Sequence, residues 1–299
     1  MRWPAPLTAL VVLALVLGGG AVAATEITIL YTNDLHLRLS RLESIAALVA
    51  AERTRSDCVL LLDAGDTWQD YRVPIFAVWG ADEMVGWMNE TGYDAMALGN
   101  HDFYWGAPKL ASLVEAAEFP VLCANFVSTG DDVPPFAAST LVTVCGIDVL
   151  IVGLVTEEYF PYFDYPWLVP VGTAEAARAA IDAHSGEADL VVCVGHVPIA
   201  DARTMVSSVP SIDVFLTGHS HEETPSPVRV GETLIVQSGA FGRSLGRLVL
   251  DVDPASGTRR LVSNELLRTE KAPVPTGRGL VRLVEVLALL AGILWVVLS

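Results

Sequence analysis

Five of the six histidines in this chain stand in short polar clusters, each placed where an apolar run ends. The clusters are Asn33-Asp34-Leu35-His36, Asp63-Ala64-Gly65-Asp66, Gly99-Asn100-His101-Asp102, Gly195-His196 and Gly218-His219-Ser220-His221. His184 alone lies elsewhere. One histidine after a strand is commonly a satisfied structural residue, but five placed alike among Asp and Asn form a ligand set. Oxygen and imidazole donors without a thiolate suit Mn, Fe, Zn or Mg. A carboxylate shared by two such cations holds them about 3.5–4 Å apart and acidifies a common water, which sets up in-line attack on a phosphate ester.

These clusters need elements that carry them to one place. Ile27 to Tyr31, Val59 to Leu62, Ala95 to Leu98 and Val121 to Cys123 read as short strands bounded by Asp, Asn or Gly. Arg41 to Arg55, Ala81 to Thr91 and Pro108 to Ala117 read as helices between them. A second half adds strands over Leu141 to Val144, Val149 to Val155, Leu190 to Val194, Val214 to Thr217, Thr233 to Gln237 and Arg247 to Val252. It also holds a helix over Ala174 to His184. This alternation predicts an α/β fold with two sheets packed face to face and helices outside. Ligands at the carboxyl ends of strands are where such a fold keeps its active site.

Five blocks in this order resemble the calcineurin-like metallophosphoesterase superfamily, closest to the catalytic domain of the 5'-nucleotidase, UDP-sugar hydrolase and 2',3'-cyclic phosphodiesterase group. The stretches that carry the likeness are Leu30 to His36, Thr91 to His101 and Thr217 to His221, supported by Pro120 to Asn125 and Val236 to Ala240. The resemblance implies a four-layer α/β/β/α sandwich of two mixed sheets flanked by helices. It implies that Asp34, His36 and His221 hold one divalent metal, that Asn100, His196 and His219 hold a second, and that Asp66 bridges them. It implies that His101 acts on the leaving oxygen. The acidic residue that orients this histidine in the group is replaced by Tyr104, so Asp102 or Asp70 is the candidate partner, or the histidine is oriented otherwise. The group's C-terminal domain, which supplies its base-stacking aromatics and substrate-gripping arginines, has no counterpart here. Candidate substrate contacts are therefore Asn125, Trp68, Tyr71, Arg243 and the aromatic run from Tyr159 to Trp167, with Phe160 and Tyr162 in it; Arg247 is a further cation near the last strand.

The expected activity is hydrolysis of phosphomonoesters or cyclic phosphodiesters of nucleotide type. The alternatives are a phosphatase of lipid-linked or sugar phosphates near a membrane, or a metal-binding surface protein that has lost catalysis. A net charge of -17 argues against nucleic-acid binding. It is compatible with a small anionic substrate, because bound divalent ions reverse the local charge. Residues 1–24 join Arg2 to the apolar run Leu7 to Leu17 and a small-residue stretch ending Ala23-Ala24, the pattern of a cleaved secretory signal. The catalytic domain is expected over residues 25–267, a linker over 268–278 and a C-terminal membrane anchor over 279–299, which places the domain at the cell surface or in the periplasm. Cys58, Cys123, Cys145 and Cys193 each lie in or beside apolar runs and are expected to be buried free thiols, with a disulfide as the alternative.

Overall fold

The computed structural model describes residues 24–69, 80–129, 136–161 and 163–271. The first sheet is built on β1 (Thr25–Thr32), β2 (Val59–Asp63), β3 (Ala95–Ala97) and β4 (Val121–Leu122), which run parallel. Strands β5 (Phe126–Ser128) and β8 (Leu168–Pro170) form a separate two-stranded ribbon. The second sheet holds β6 (Ser139–Val144), β7 (Ile147–Val155), β9 (Leu190–His196), β10 (Val214–Thr217), β11 (Val228–Val230) and β12 (Thr233–Val236). Its order is β11-β12-β10-β9-β7-β6, with the four inner strands parallel. The chain then returns to the first sheet as β13 (Ser244–Asp253), antiparallel to β1, and β14 (Thr258–Arg268), antiparallel to β13.

Central strands are buried on both faces, so each contributes alternate residues to two cores. Ile27, Ile29 and Tyr31 of β1 meet Val149, Ile151, Val192, Val194 and Leu216 of the other sheet in the layer between the sheets. Leu30 and Leu61 point outward to α1 (Leu42–Arg55), α2 (Ala81–Thr91) and α3 (Ala107–Ala116), meeting Ile45, Val49, Met84, Met88 and Leu110. On the far side Leu150, Val152, Cys193 and Phe215 meet Ala177, Ala180, Met205 and Val206 of α4 (Thr173–Ala183) and α5 (Ile199–Ser208). The layers are α/β/β/α, as the resemblance implies.

The structure adds elements that the sequence reading lacked, namely β5, β8, β11, β14 and α5. It also moves the domain edge. Strand β14 runs through Arg268, and buried Thr269 accepts the Arg41 guanidinium on its carbonyl and hydroxyl oxygens at 2.7 and 2.9 Å. The expectation of four free thiols is corrected in half: Cys58 and Cys145 form a disulfide with their Cα atoms 5.5 Å apart, while Cys123 and Cys193 are free and buried. Each of the bonded pair sits at the edge of an apolar run, and the fold brings together two residues 87 apart in sequence. Residues 1–23 of the expected signal segment 1–24, and the expected anchor 279–299, lie outside the described residues. Among those described, no helix is long and apolar enough to cross a membrane.

Candidate metal centre

All the parallel inner strands of both sheets point their carboxyl ends to one edge of the sandwich, and the polar clusters begin there. Their loops are bonded backbone to backbone. The Asp34 N–H donates to Gly65 O, His36 N–H to Asp66 O, and Phe241 N–H to Asp34 O, at 2.7–2.9 Å. Asn33 ties the first loop to the loop after β12: its Oδ1 accepts from the Ser238 amide and hydroxyl, and its Nδ2 donates to Gly239 O and Asp34 Oδ2. Gly99 is required by contact, since a Cβ there would stand 2.1 Å from Asp66 Oδ1.

This bonding forces unusual backbone. Among the described residues nine non-glycines have positive φ, and five of them are expected ligands: Asp34 (51°), His36 (47°), Asp66 (56°), His219 (69°) and His221 (58°). Such conformations cost about 1–3 kcal/mol each and collect at functional sites. Here they swing consecutive side chains toward one point.

The donor atoms fall into three overlapping sets, each within 4.8 Å: Asp34, His36 and His221; His36, Asp66 and His101; and Asp34, Asp66 and His196. His221 Nε2 lies 3.1 Å from Asp34 Oδ1, and His196 Nε2 lies 3.1 Å from Asp66 Oδ2. His36 Nε2 stands between the two carboxylates, at 3.7 Å from Asp34 and 3.8 Å from Asp66. Second partners set the rings. His36 Nδ1 lies 3.1 Å from Gln69 O and His196 Nδ1 lies 2.8 Å from Ala64 O, so the Nδ1–H donates to a carbonyl and Nε2 is left as the ligand atom. Asn100 meets His219 Nδ1 at 3.2 Å, while His219 Nε2 meets Glu158 Oε2 at 2.8 Å.

The residues fit divalent cations by their own shortcomings. Fully buried His196 Nε2 has no hydrogen-bond partner, although it faces two carboxylates. Burial by itself would raise the Asp34 and Asp66 carboxyls. The surrounding imidazoles, His196 foremost, outweigh it and hold both below the usual carboxylate range. Burial opposes charge on His196 too, but Asp66 and Asp34 push it up to about 10. Concentrated anionic donors with unmet valence are what a divalent ion satisfies.

Several sequence expectations are corrected. Asp102 does not touch His101. Its buried carboxylate accepts the N–H groups of Asp66, Gly99 and Trp68 at 2.8–2.9 Å and braces two ligand loops from beneath. Burial, and then the Asp66 charge, push that carboxyl up to about 7. The group facing His101 Nδ1 is instead Gln69 Oε1, at 3.3 Å. Trp68 is fully buried with its indole N–H on Met88 Sδ, so it belongs to the core and not to a pocket rim. Asn125 is buried and bonds the backbone of Val155 through both ends of its amide. Phe160 is packed inside, stacked on Phe126 at 4.2 Å and edge-on to Phe103 at 4.8 Å. Its neighbours Tyr159 and Phe163 are exposed, and the Tyr159 carbonyl is held by the Tyr104 hydroxyl at 2.8 Å. Arg247 pairs with buried Glu52 on the helical side of the first sheet. Arg243 is exposed beside the site, its Cζ 5.3 Å from the Phe241 ring. Asp70, Tyr71 and Tyr162 lie outside the described residues. Gln69, Glu158 and Phe241 escaped the sequence reading, although Gln69 follows Asp66 by three positions and Phe241 directly follows the block ending at Ala240.

The two-sheet sandwich and its ligand edge define a class, and the chain belongs to the calcineurin-like phosphoesterase family, whose model matches residues 27–223. It is 31% identical to human 5'-nucleotidase over 317 residues, covering 90% of this chain and 54% of the relative, and 30% identical to the mouse enzyme over 301 residues, covering 85% and 51%. It thus spans about half the length of these relatives. A 5'-nucleotidase precursor from Thermus thermophilus superposes with a TM-score of 0.75 at 26% identity, covering 83% of this chain and 56% of that one. A calcineurin-like phosphoesterase from Bacillus subtilis shares the fold at a TM-score of 0.70 and 20% identity, over 83% of this chain and 91% of its own. The family match spans every candidate ligand cluster, from Asn33 to His221.

Proposed function

We propose that the chain is an exported two-metal hydrolase of phosphomonoesters or cyclic phosphodiesters, with nucleotide-type substrates. The observation that carries this reading is the sharing of Asp34 and Asp66 among three overlapping donor sets at one sheet edge. In this reading Asp34, His36 and His221 would hold one cation, Asn100, His196 and His219 would hold the other, and Asp66 would serve both. When bound, such a pair supplies Lewis acidity toward the phosphate and a nucleophilic water at neutral pH. The side chains do the rest. His101 stands with its Nε2 3.9 Å from Asp66 Oδ2, so it borders the ligand cluster and delivers a proton to the leaving oxygen from that nitrogen. Gln69 holds the ring by accepting the Nδ1–H.

The printed names of the relatives support a nucleotide as substrate. Export is supported by the N-terminal pattern and by the Cys58–Cys145 disulfide, which suits an oxidising compartment. Membrane attachment through residues 279–299 rests on the sequence alone.

The test is phosphate release from an aryl phosphate and from adenosine 5'-monophosphate by protein stripped of metal and reloaded with Mn. Release should require Mn and vanish in Asn100→Ala through lost metal. His101→Ala should keep its metal but turn over about 10²–10⁴-fold more slowly. Near-normal turnover in Asn100→Ala would sink the ligand assignment.

A further inference from the structure

Beside the ligand cluster lies a cavity of about 470 Å³ lined by Arg38, Ser40, Arg41, Phe241, Arg243 and Lys271. Four of these six are cationic and none is acidic, in a chain whose net charge is -17. The pocket is joined to the expected metal ligands through one side chain. The Phe241 ring lies 5.6 Å from the His36 ring and 5.1 Å from that of His221, while the Arg38 and Arg243 guanidinium carbons sit 5.0 and 5.3 Å from its centroid. Phe241 holds this position at a φ of 62°, a conformation a bulky residue adopts only when its surroundings impose it.

Two neighbouring groups are held by contacts of their own. Arg41 is anchored on Thr269 and forms a wall. Glu223, whose carboxyl is lowered first by Arg268 and also by the Arg243 charge, forms its bidentate pair with Arg268. Guanidinium forks match the oxygens of a phosphate, and held over an aromatic face they lose little freedom on binding one.

We infer that this pocket is a subsite for a second phosphoryl group on the substrate, so that the natural substrates are compounds carrying two phosphoryl groups a short chain apart. One group reacts among the ligands of both sheets, and the other is gripped by Arg38 and Arg243 across Phe241. The inference rests on the two-metal reading and names the substrate class for that same site.

The experiment titrates the full chain, loaded with Mn, with butane-1,4-bisphosphonate and with butylphosphonate, neither of which can be hydrolysed. Wild type should bind the bisphosphonate about tenfold or more tightly than the monophosphonate, through charge-assisted bonds to the second group. In Arg38→Gln/Arg243→Gln that preference should shrink at least about fivefold while Mn affinity and melting temperature hold. A smaller shrinkage, or no preference in wild type, overturns the inference. Should the double variant fail to fold, Arg243→Gln alone, at an exposed residue, decides by the same criterion. If Mn itself does not bind, the two-metal reading falls, and the comparison repeated on metal-free protein still judges the pocket.

Discussion

The two ends of this sandwich are tied by opposite chemistry. At the end where β2 starts and β6 turns into β7, Cys58 and Cys145 join the two sheets covalently. At the other end, roughly 17 Å away along the five residues of β2 at about 3.4 Å each, the same sheets deliver carboxylates and imidazoles to one another. The disulfide end is complete as folded. The ligand end holds left-handed backbone at five expected ligands, buried polar atoms without partners and two carboxylates in one cluster. It is therefore the end that gains from divalent ions, and its local cost is the condition of its chemistry.

The largest expected effect comes from removing what the ligand end shares. Asp66→Ala takes a carboxylate from two donor sets at once, so metal-dependent phosphate release should fall about 10³-fold or more, equivalent to about 4 kcal/mol. Mn at about 100 times its Kd should stabilise wild type by about 2.7 kcal/mol per site, and Asp66→Ala should forfeit most of it. Thermal melts with and without Mn read both. The sign with pH follows from His196, whose folded value of about 10 stands above its unfolded value near 6.5. Its contribution to the metal-free protein is present below 6.5 and lost as pH rises toward 10. Metal-free melts should fall across that window and Mn-loaded melts should fall less; a flat metal-free profile would refute this charge balance.

Next in size is the other end. The bond closes a loop of 87 residues, which in the chain-entropy account is worth about 4–5 kcal/mol and in practice commonly 2–4. Cys58→Ser/Cys145→Ser should lower unfolding stability by about 2–4 kcal/mol. Below its melting temperature it should leave kcat/KM within about twofold, since distant sites add independently. A tenfold loss of activity would break the comparison by showing that the ends are mechanically coupled.

What the sequence disclosed follows the same division. Metal chemistry restricts residue type, so the candidate ligands Asp34, His36, Asp66, Asn100, His196, His219 and His221 stood out as polar interruptions at the ends of apolar strands. The sheets were legible because inner strands are nearly continuous apolar runs. Residues acting through orientation were not. Asp102 stands next to His101 in sequence, yet the short helical turn at Asp102–Trp105 begins there and the carboxylate bonds the loop amides instead. Phe160 and Tyr159 are neighbours of similar character, and only tertiary packing sends one into the core and leaves the other in solvent. Helix α5 escaped although its buried stripe of Ile199, Ala202, Met205 and Val206 keeps helical spacing. Cys58 and Cys145 look alike to Cys123 and Cys193 until the fold measures their separation.

The smallest effect at the ligand end should come from Gln69, and it separates positioning from binding. Its carbonyl serves His36 and its side-chain oxygen serves His101. Gln69→Leu keeps the first contact and deletes the second, so Mn affinity should hold while kcat falls about tenfold, the low end for lost orienting partners. KM should stay within about twofold, because the phosphate still meets the same metal ligands. Gln69→Glu should restore much of kcat and move the basic limb of its pH profile upward, since a carboxylate beside the imidazole favours its protonated form. A fold defect would not produce that shift. An unchanged kcat in Gln69→Leu would mean that the Gln69 contact does not orient His101.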